Sequence, residues 1–381
     1  MKRWRLSLFL FVTFRLSMLV FWPADQLARW SDYDYFYNLA AWVDEGHWPY
    51  LDYWVEYPPL FPFLSTLLYL LTGRYATYAA ALALVQLAFE TGSVVLLACL
   101  ARRVVGRGRV EETVWTYALL FAPVATWWLS FDAIATFLML LAIERWLAGC
   151  RDQSALALGV GGLVKWFPLL VLPVALRSVR NWRRALRYGA LALGVVLLVI
   201  GLLLVVSPSY TWASLRSLGS RSSWQTVWAL LDGNLSTGAY AANRLDPQAA
   251  SSPQGASPFV PVWLTTILFG ALYFWVWWRA PSGSGVRSSR RWVRFAALTV
   301  IVFFLWSRGW SPQWLGMLVP LVLLSLPLDR AVLFLVVLTF VNLAEWPVLL
   351  SRGFTQWLYV TVLTRTGVLL LLAIDLWRRL R

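Results

Sequence analysis

Long apolar runs alternate with short arginine-rich segments along almost the whole chain. Most runs approach the ~20 residues that an α-helix needs to cross a bilayer. Because a bilayer offers no water to unpaired backbone groups, such runs are expected to be helical. The pattern predicts an all-α, polytopic integral membrane protein with about twelve transmembrane segments (roughly 10–13). We expect one transmembrane domain covering residues 1–381.

The positions of the arginines predict the orientation of the chain. Basic residues precede the first apolar run, 6–23, and Arg378 and Arg379 close the sequence. Cytoplasmic loops carry the excess of Lys and Arg, so both termini are predicted to be cytoplasmic. No small-residue cleavage site follows the first run, which is therefore interpreted as an uncleaved span. Two polar stretches, 24–75 and 207–258, are then predicted to be external loops.

The first external loop is expected to carry amphipathic helices on the membrane surface. Residues 35–45 have helical spacing, with one apolar face formed by Phe36, Leu39, Ala40 and Val43. The apolar run 60–72 is short, and if it crossed the bilayer the arginine cluster at 102–109 would be external. The positive-inside rule therefore predicts that 60–72 is a surface or half-buried helix.

A broken helical hairpin is predicted over residues 155–176. Basic segments lie on both sides of this run, and both are predicted to be cytoplasmic. The letters KWFP interrupt the run at 165–168. Irregular backbone at membrane depth is tolerated where it lines a cavity. We therefore expect two short helices with Lys165 at the turn, pointing toward the external loops.

The composition agrees with a membrane protein and argues against nucleic-acid binding. Of the residues, 60% are hydrophobic, 16% aromatic and 13% charged, against roughly 25% charged in soluble domains. The net charge of +15 comes from arginines that flank apolar runs, as positive-inside loops do. Cys99 and Cys150 form no disulfide framework and are interpreted as structural.

Candidate chemistry concentrates in the predicted external loops. Asp32 and Asp34 stand two residues apart in the first loop, and carboxylates at such positions belong in water rather than in hydrocarbon. Two carboxylates this close should raise the apparent pKa of one of them. A carboxylate can act as a general base, and cations can stabilise a departing anion. The other polar candidates on this side are Asp132, Arg221, Gln225, Arg308 and Gln313, with Lys165 below them.

The loop sequences resemble those of a known superfamily. The letters SDYDY at 31–35, GHWPY at 46–50 and YPPL at 57–60 resemble the first external loop of GT-C glycosyltransferases. Further motifs recur in the same order: FD at 131–132, KWFP at 165–168 with LP at 172–173, and SPQW at 311–314. The most similar groups are the polyprenyl-phosphate-mannose-dependent mannosyltransferases of actinobacteria and the enzyme that adds the first mannose to glycosylphosphatidylinositol. The resemblance covers nearly the whole chain.

This resemblance implies a GT-C fold and a membrane enzyme that uses a lipid-linked sugar. A hexose, in these groups mannose, passes from a polyprenyl phosphate donor to a glycolipid or glycan acceptor on the extracytoplasmic face, with inversion. Asp32 matches the family's external aspartate and is the implied general base, with Asp34 as orienter, metal ligand or hydrogen-bond partner of the acceptor. An Asp-x-Asp pair can hold Mg²⁺ or Mn²⁺, and the sequence leaves a metal open. The implied substrate-binding residues are His47, Tyr57, Asp132, Lys165, Arg221, Gln225, Arg308 and Gln313.

Each candidate has a structural alternative. Asp32 and Asp34 could only cap the following helix, with Asp34 at the N-cap, and Asp132 could cap the helix it begins. Lys165 could extend its ammonium to the membrane interface without binding anything. Arg221 and Gln225, four apart on a predicted helix, could form a solvated face, and His47 could be an exposed turn residue.

Two other functional classes compete with a glycosyltransferase. A transporter or flippase for lipid-linked sugars predicts symmetric halves and charges throughout the spans. A non-catalytic membrane subunit gives no reason for carboxylates to concentrate in one loop. The sequence has no visible repeat and its acidic residues cluster externally, which favours the enzyme.

Overall fold

The computed structural model describes residues 4–22, 26, 31–120, 131–238, 240–281 and 289–380, and these residues form a helical protein. The helices are α1 Trp4–Phe21, α2 Tyr33–Ala41, α3 Leu60–Thr72, α4 Tyr75–Val104, α5 Val110–Leu119, α6 Asp132–Leu147, α7 Arg151–Val164, α8 Leu172–Arg177, α9 Trp182–Val206, α10 Pro208–Ser220, α11 Val227–Asp232, α12 Val262–Arg279, α13 Ser289–Trp306, α14 Leu315–Ser325, α15 Leu328–Leu343 and α16 Leu358–Leu380. No extended strand occurs among the described residues.

Several helices are long and apolar enough to cross a membrane. The described residues contain five such segments, Trp4–Phe21, Tyr75–Val104, Trp182–Val206, Leu328–Arg352 and Thr355–Leu380. Shorter apolar helices pack among them. The prediction of an all-helical membrane protein is confirmed, whereas the number of about twelve spans stays a prediction.

Small residues and one ion pair hold the spanning helices together. A Cβ atom on Gly159 of α7 would lie 2.6 Å from the carbonyl oxygen of Ala192 in α9, so only glycine allows this approach. Arg15 of α1 donates to Glu90 of α4 at 2.9 Å, and both side chains are buried. A buried charge must be paired, so this contact fixes how α1 lies against α4.

The first polar stretch forms two helices that lie side by side. In α2, Phe36 and Ala40 are buried as predicted, and a 3₁₀ turn, Trp42–Glu45, continues the helix. The neighbouring helix α3 starts beside α2, where the rings of Phe36 and Phe61 are 4.8 Å apart. It also ends beside α2, where the Tyr37 hydroxyl donates to the carbonyl of Gly73 at 3.1 Å. Adjacent residues of α2 thus contact both ends of α3, and the prediction that α3 does not cross the bilayer stays a prediction.

The predicted hairpin is present. Helix α7 ends at Val164, Lys165 is extended, a 3₁₀ turn covers Phe167–Val171, and α8 follows. At one end of the hairpin Asp152 forms an ion pair with Arg187 at the start of α9. At the other end Arg177 donates to the carbonyl of Trp278 at the end of α12. Lys165 therefore lies at the tip, away from both ends.

Three connecting segments meet at one face of the helical bundle, which we call the loop face: residues 31–59, 207–261 and 307–314. The amide of Val55 donates to the Ser214 hydroxyl at 3.0 Å. The amide of Trp224 donates to the Arg308 carbonyl at 3.0 Å, and that of Trp310 to the Trp224 carbonyl at 3.1 Å. The opposite ends of the helices, called the arginine face, carry Arg102, Arg103, Arg177, Arg187, Arg294 and Arg379.

Candidate active site

Asp32 lies half-buried at the N-terminal end of α2. It occupies the N-cap position, yet its side chain makes no capping hydrogen bond. The Ser31 hydroxyl instead accepts from the amide of Tyr33 at 3.2 Å. Asp34, predicted as the N-cap, is inside the first turn of the helix, so that prediction is wrong. Capping therefore does not explain the carboxylate of Asp32.

Charges from four other parts of the chain act on Asp32. Burial has the largest effect and raises the pKa of its carboxyl from the usual 3.8 to about 6. Arg221 and Lys165 oppose this rise, whereas Asp132 and Glu56 add to it. The fold thus brings two cations and two further carboxylates close enough to Asp32 to act on its carboxyl.

Lys165 reaches this group from the tip of the hairpin. Its ammonium lies 2.7 Å from Oδ1 of Asp132, and their side chains are 12% and 3% exposed. Three rings surround the ammonium at 5.1 to 5.9 Å from their centroids: Phe131, Phe167 and Trp314. Lys165 therefore faces the interior of the loop face, and extension toward the membrane interface does not describe it. Asp132 is the first residue of α6 and pairs with Lys165 without capping the helix.

The second oxygen of Asp132 opens onto a narrow polar cavity. Oδ2 is buried and has no hydrogen-bond partner among the described residues. The cavity also has Gln313, Thr136, Ser93, Tyr117 and Glu90 in its lining. Buried carboxylate oxygens are nearly always hydrogen-bonded, so an unpartnered one marks a position for a ligand hydroxyl or a water. Residues 121–130, which lead into α6, lie outside the described residues.

Arg221 comes from the second polar stretch. Its guanidinium lies 3.5 Å from the centroid of the Trp224 ring and donates to the carbonyl of Gly238 at 3.0 Å. It also contacts the Tyr240 hydroxyl at 3.3 Å. The Nε atom is buried with no hydrogen-bond partner among the described residues, so one donor is left for a ligand.

The helix predicted to carry both Arg221 and Gln225 is not present. Helix α10 ends at Ser220, and Gln225 has a φ of +52° in a loop. The backbone of the intervening Trp224 pairs with residues 308–310, and continuing the helix would prevent those hydrogen bonds. Gln225 is buried, its carbonyl accepts from Arg365, and its side-chain oxygen has no partner in the described part of the chain.

Two glycines make room for the Trp224 ring on which Arg221 lies. A Cβ atom on Gly309 would lie 2.1 Å from this ring, and one on Gly238 would lie 2.7 Å from it. Real Cβ atoms essentially never approach that closely. The residues of 307–314 therefore support Arg221 indirectly, by leaving space for Trp224.

The remaining candidates divide into one that joins the site and three that do not. The ring of Tyr57 packs on Phe131 at 5.0 Å, and Asp32 is among the charges that, after burial, raise the pKa of its phenol. Asp34 is exposed and makes no side-chain contact among the described residues. His47 is half-buried in the turn after α2, and only its backbone is hydrogen-bonded. Arg308 forms an ion pair with the buried Asp232.

The residues do not suit a divalent metal at Asp32 and Asp34. Asp34 is exposed on α2, whereas the carboxyl of Asp32 is surrounded by Arg221 and Lys165. No group of three or more His, Cys, Asp or Glu side chains converges within the described residues. Mg²⁺ and Mn²⁺ prefer oxygen ligands without competing cations, so we route no step through a metal.

Sequence reasoning missed a deeply buried ion pair of the loop face. Nη1 of Arg244 donates to Oε2 of Glu56 at 2.7 Å, with 7% and 2% of the side chains exposed. The position of Glu56, directly before the letters YPPL, was a usable signal. Arg244 lies in a Ser-, Ala- and Pro-rich stretch, where no sequence pattern pointed to a role for it.

Comparisons with known proteins find a matching family and a similar solved structure. The sequence model of glycosyltransferase family 87 matches residues 54–308. Among solved structures, the chain is similar to ArnT from Cupriavidus metallidurans in the apo state, with 17% identity and a TM-score of 0.45. That alignment covers 92% of this chain and 73% of the other. No curated protein matches the sequence.

Proposed function

Since the chain belongs to glycosyltransferase family 87, and is a membrane glycosyltransferase of the GT-C type, we propose that it transfers mannose from a polyprenyl-phosphate-linked donor. The acceptor is a glycolipid or glycan. The loop face is extracytoplasmic in this proposal and both termini are cytoplasmic, as the positive-inside rule favours.

The observation that carries the proposal is the convergence on Asp32. Asp32 comes from the start of α2, Lys165 from the hairpin tip and Arg221 from the end of α10. Transfer from a sugar phosphate needs a base for the acceptor hydroxyl and cations for the departing phosphate. One group of residues offers both.

The reaction follows from these roles. A carboxylate oxygen of Asp32 takes the proton of the acceptor hydroxyl while that oxygen forms a bond to the anomeric carbon. The bond from the anomeric carbon to the phosphate oxygen breaks, and its electron pair leaves on polyprenyl phosphate. Attack opposite the leaving group inverts the anomeric centre. Lys165 and Arg221 stabilise the added negative charge on the phosphate.

Asp132 and Gln313 are proposed to contact sugar hydroxyls. Asp132, whose Oδ2 is buried without a partner among the described residues, and Gln313 line the same cavity. Tyr57 closes the site beside Phe131. We assign no substrate contact to His47, Gln225 or Arg308, whose contacts are structural or absent in the described part of the chain.

The test is a transfer assay with purified protein and a panel of polyprenyl-phosphate sugars carrying mannose, glucose or arabinose. Octyl α-mannoside serves as the acceptor probe, and NMR coupling constants of the product report the anomeric configuration. The proposal expects an inverted mannoside that depends on Asp32. Movement of intact donor across a vesicle bilayer without transfer would support the flippase alternative, and transfer from another sugar only would overturn the mannose assignment.

A further inference from the structure

The structure assigns Arg244, Glu56 and Tyr35 a role in positioning Asp32, as a clamp that joins the two long polar stretches. This inference rests on the proposed function, because it concerns the placement of the proposed base. None of the three residues is proposed to touch the substrate.

The clamp is a closed set of hydrogen bonds. Arg244 donates through Nη1 to Glu56 at 2.7 Å and through Nη2 to the Tyr35 hydroxyl at 2.6 Å. The Tyr35 hydroxyl donates in turn to the other oxygen of Glu56 at 2.7 Å. Each side chain thus contacts both others, and Glu56 and Arg244 are almost completely buried. A buried pair of this kind keeps one geometry, since opening the Arg244–Glu56 contact leaves two buried charges unpaired.

The surroundings make the clamp rigid. The Arg244 guanidinium lies 4.0 Å from the centroid of the fully buried Trp54 ring. The Trp54 amide donates to the Arg244 carbonyl at 3.1 Å, and its indole donates to the carbonyls of Asn243 and Asp246. The stretches 53–56 and 243–246 therefore hold each other through side chains and backbone together.

The clamp reaches Asp32 through α2. Asp32 is the N-cap residue of α2 and Tyr35 the third residue of its first turn, and the carbonyl of Asp32 accepts from the amide of Phe36 at 3.0 Å. Fixing the Tyr35 hydroxyl therefore fixes the rotation of the first turn of α2. Glu56 also acts on Asp32 directly, as one of the negative charges near its carboxyl. The clamp thus sets both the direction and the electrostatic surroundings of the base.

Two kinds of variant distinguish a role of the clamp in positioning Asp32 from a role in stabilising the fold. Tyr35→Phe removes one hydroxyl and leaves the buried charges paired, so the chain should fold normally. Arg244→Lys keeps the charge but loses the planar fork that binds two partners at once. Arg187→Gln removes a guanidinium from an exposed ion pair on the arginine face and serves as the control.

The experiment measures kcat and donor KM for mannose transfer from polyprenyl phosphate to octyl α-mannoside, together with the melting curve of each variant. We expect kcat to fall about 10²-fold in Arg244→Lys, the loss that a displacement of about 1 Å produces. Tyr35→Phe should lose about tenfold, the equivalent of one hydrogen bond to a charged group. Donor KM should stay within about twofold, because Lys165 and Arg221 are untouched.

The pH dependence of kcat is a second measurement, because a purely structural role of the clamp would not change the pH at which kcat declines. The groups that face Asp32 are Arg221, Lys165, Asp132 and Glu56. Glu56→Gln removes one of the two negative charges, so the acid limb of kcat should move to lower pH. Tyr35→Phe removes no charge and should leave this limb in place while kcat falls.

The outcomes separate this inference from the proposed function. If Tyr35→Phe and Arg244→Lys both keep wild-type kcat while Asp32→Asn abolishes turnover, the clamp is overturned and the proposed function stands. If Asp32→Asn keeps its activity, the proposed function fails and the clamp with it. An equal loss of kcat and of folded protein in both clamp variants would also overturn the positioning role.

Discussion

The two faces of the helical bundle use charge in opposite ways. At the loop face the ion pairs are buried, as in Glu56–Arg244 with 2% and 7% of the side chains exposed. At the arginine face the pair Asp152–Arg187 is 55% and 69% exposed. Exposed pairs contribute little to stability, whereas buried ones fix the geometry of their surroundings. The buried pair of the loop face therefore holds charged groups in defined positions, which the exposed pair Asp152–Arg187 does not do.

The largest expected effect comes from the proposed base. Asp32→Asn keeps the shape of the side chain but removes the charge that accepts the proton, so turnover should fall ~10²–10⁴-fold. Donor affinity, measured by calorimetry with polyprenyl phosphate mannose, should be nearly unchanged. Because the folded chain raises the pKa of this carboxyl, the charged form is disfavoured by folding, and Asp32→Asn should not lower the melting temperature.

Asp34→Asn is the matched control for that substitution. Its side chain is exposed and makes no contact in the described part of the chain, so turnover should change less than about threefold. A larger loss in Asp34→Asn than in Asp32→Asn would mean that the two roles are exchanged.

The next effect concerns the donor phosphate. Lys165→Met should weaken donor binding about 10- to 100-fold, the range for a hydrogen bond to a charged group. The variant leaves Asp132 buried without its partner, which could disturb the fold. The double variant Lys165→Met with Asp132→Asn removes both charges, and it should melt like the wild type while binding the donor weakly. Wild-type affinity in the double variant would exclude a phosphate contact by Lys165.

The pH dependence of turnover tests the electrostatics of Asp32. The base must be deprotonated, and burial raises its pKa to about 6. As pH falls through this value kcat should decline, reaching about tenfold per pH unit well below it. A stopped assay between pH 4.5 and 8 measures this limb. A profile that stays flat down to pH 5 would show that Asp32 titrates in its ordinary range.

A smaller effect is expected from Gly309→Ala. The added methyl group would displace Trp224 and, with it, the Arg221 guanidinium. We expect kcat/KM to fall about tenfold, since a donor contact is shifted but not removed. Gly270→Ala is the control, because a Cβ atom there meets nothing within 4 Å. Equal kinetic constants in both variants would show that the position of Trp224 does not affect Arg221.

The smallest effect should come from the arginine face. Asp152→Asn and Arg187→Gln break an exposed pair, which typically contributes ~0–1 kcal/mol. Turnover should change less than about twofold in either variant. A strong loss there would contradict the contrast between the two faces.

The parts of the fold that the sequence predicted are those decided locally. Apolar periodicity and flanking arginines gave the hairpin with Lys165 at its tip and the amphipathic helix that buries Phe36 and Ala40. These features depend on residues within a few turns of one another.

The parts that were missed depend on distant partners. Arg221 and Gln225 leave the helical pattern because the backbone of Trp224 pairs with residues more than eighty positions away. Arg244 has no local pattern that points to Glu56. Asp34 shows a different limit: residues two apart on a helix do not face each other, so an Asp-x-Asp motif converges only in extended backbone.

The hairpin has one consequence for the depth at which sugar transfer would occur. Helix α7 has 14 residues and rises ~21 Å from the arginine face, against a hydrocarbon thickness of ~30 Å. In the proposed orientation, with the start of α7 at the inner boundary of the hydrocarbon, the backbone of Lys165 would lie below the outer boundary. A lipid phosphate bound at Lys165 would then sit lower than the headgroups around it, and the acceptor would have to reach it at that depth. Removing one helical turn from α7 would lower the position of Lys165 by ~5.4 Å. The length of this helix would therefore set the depth at which donor and acceptor meet.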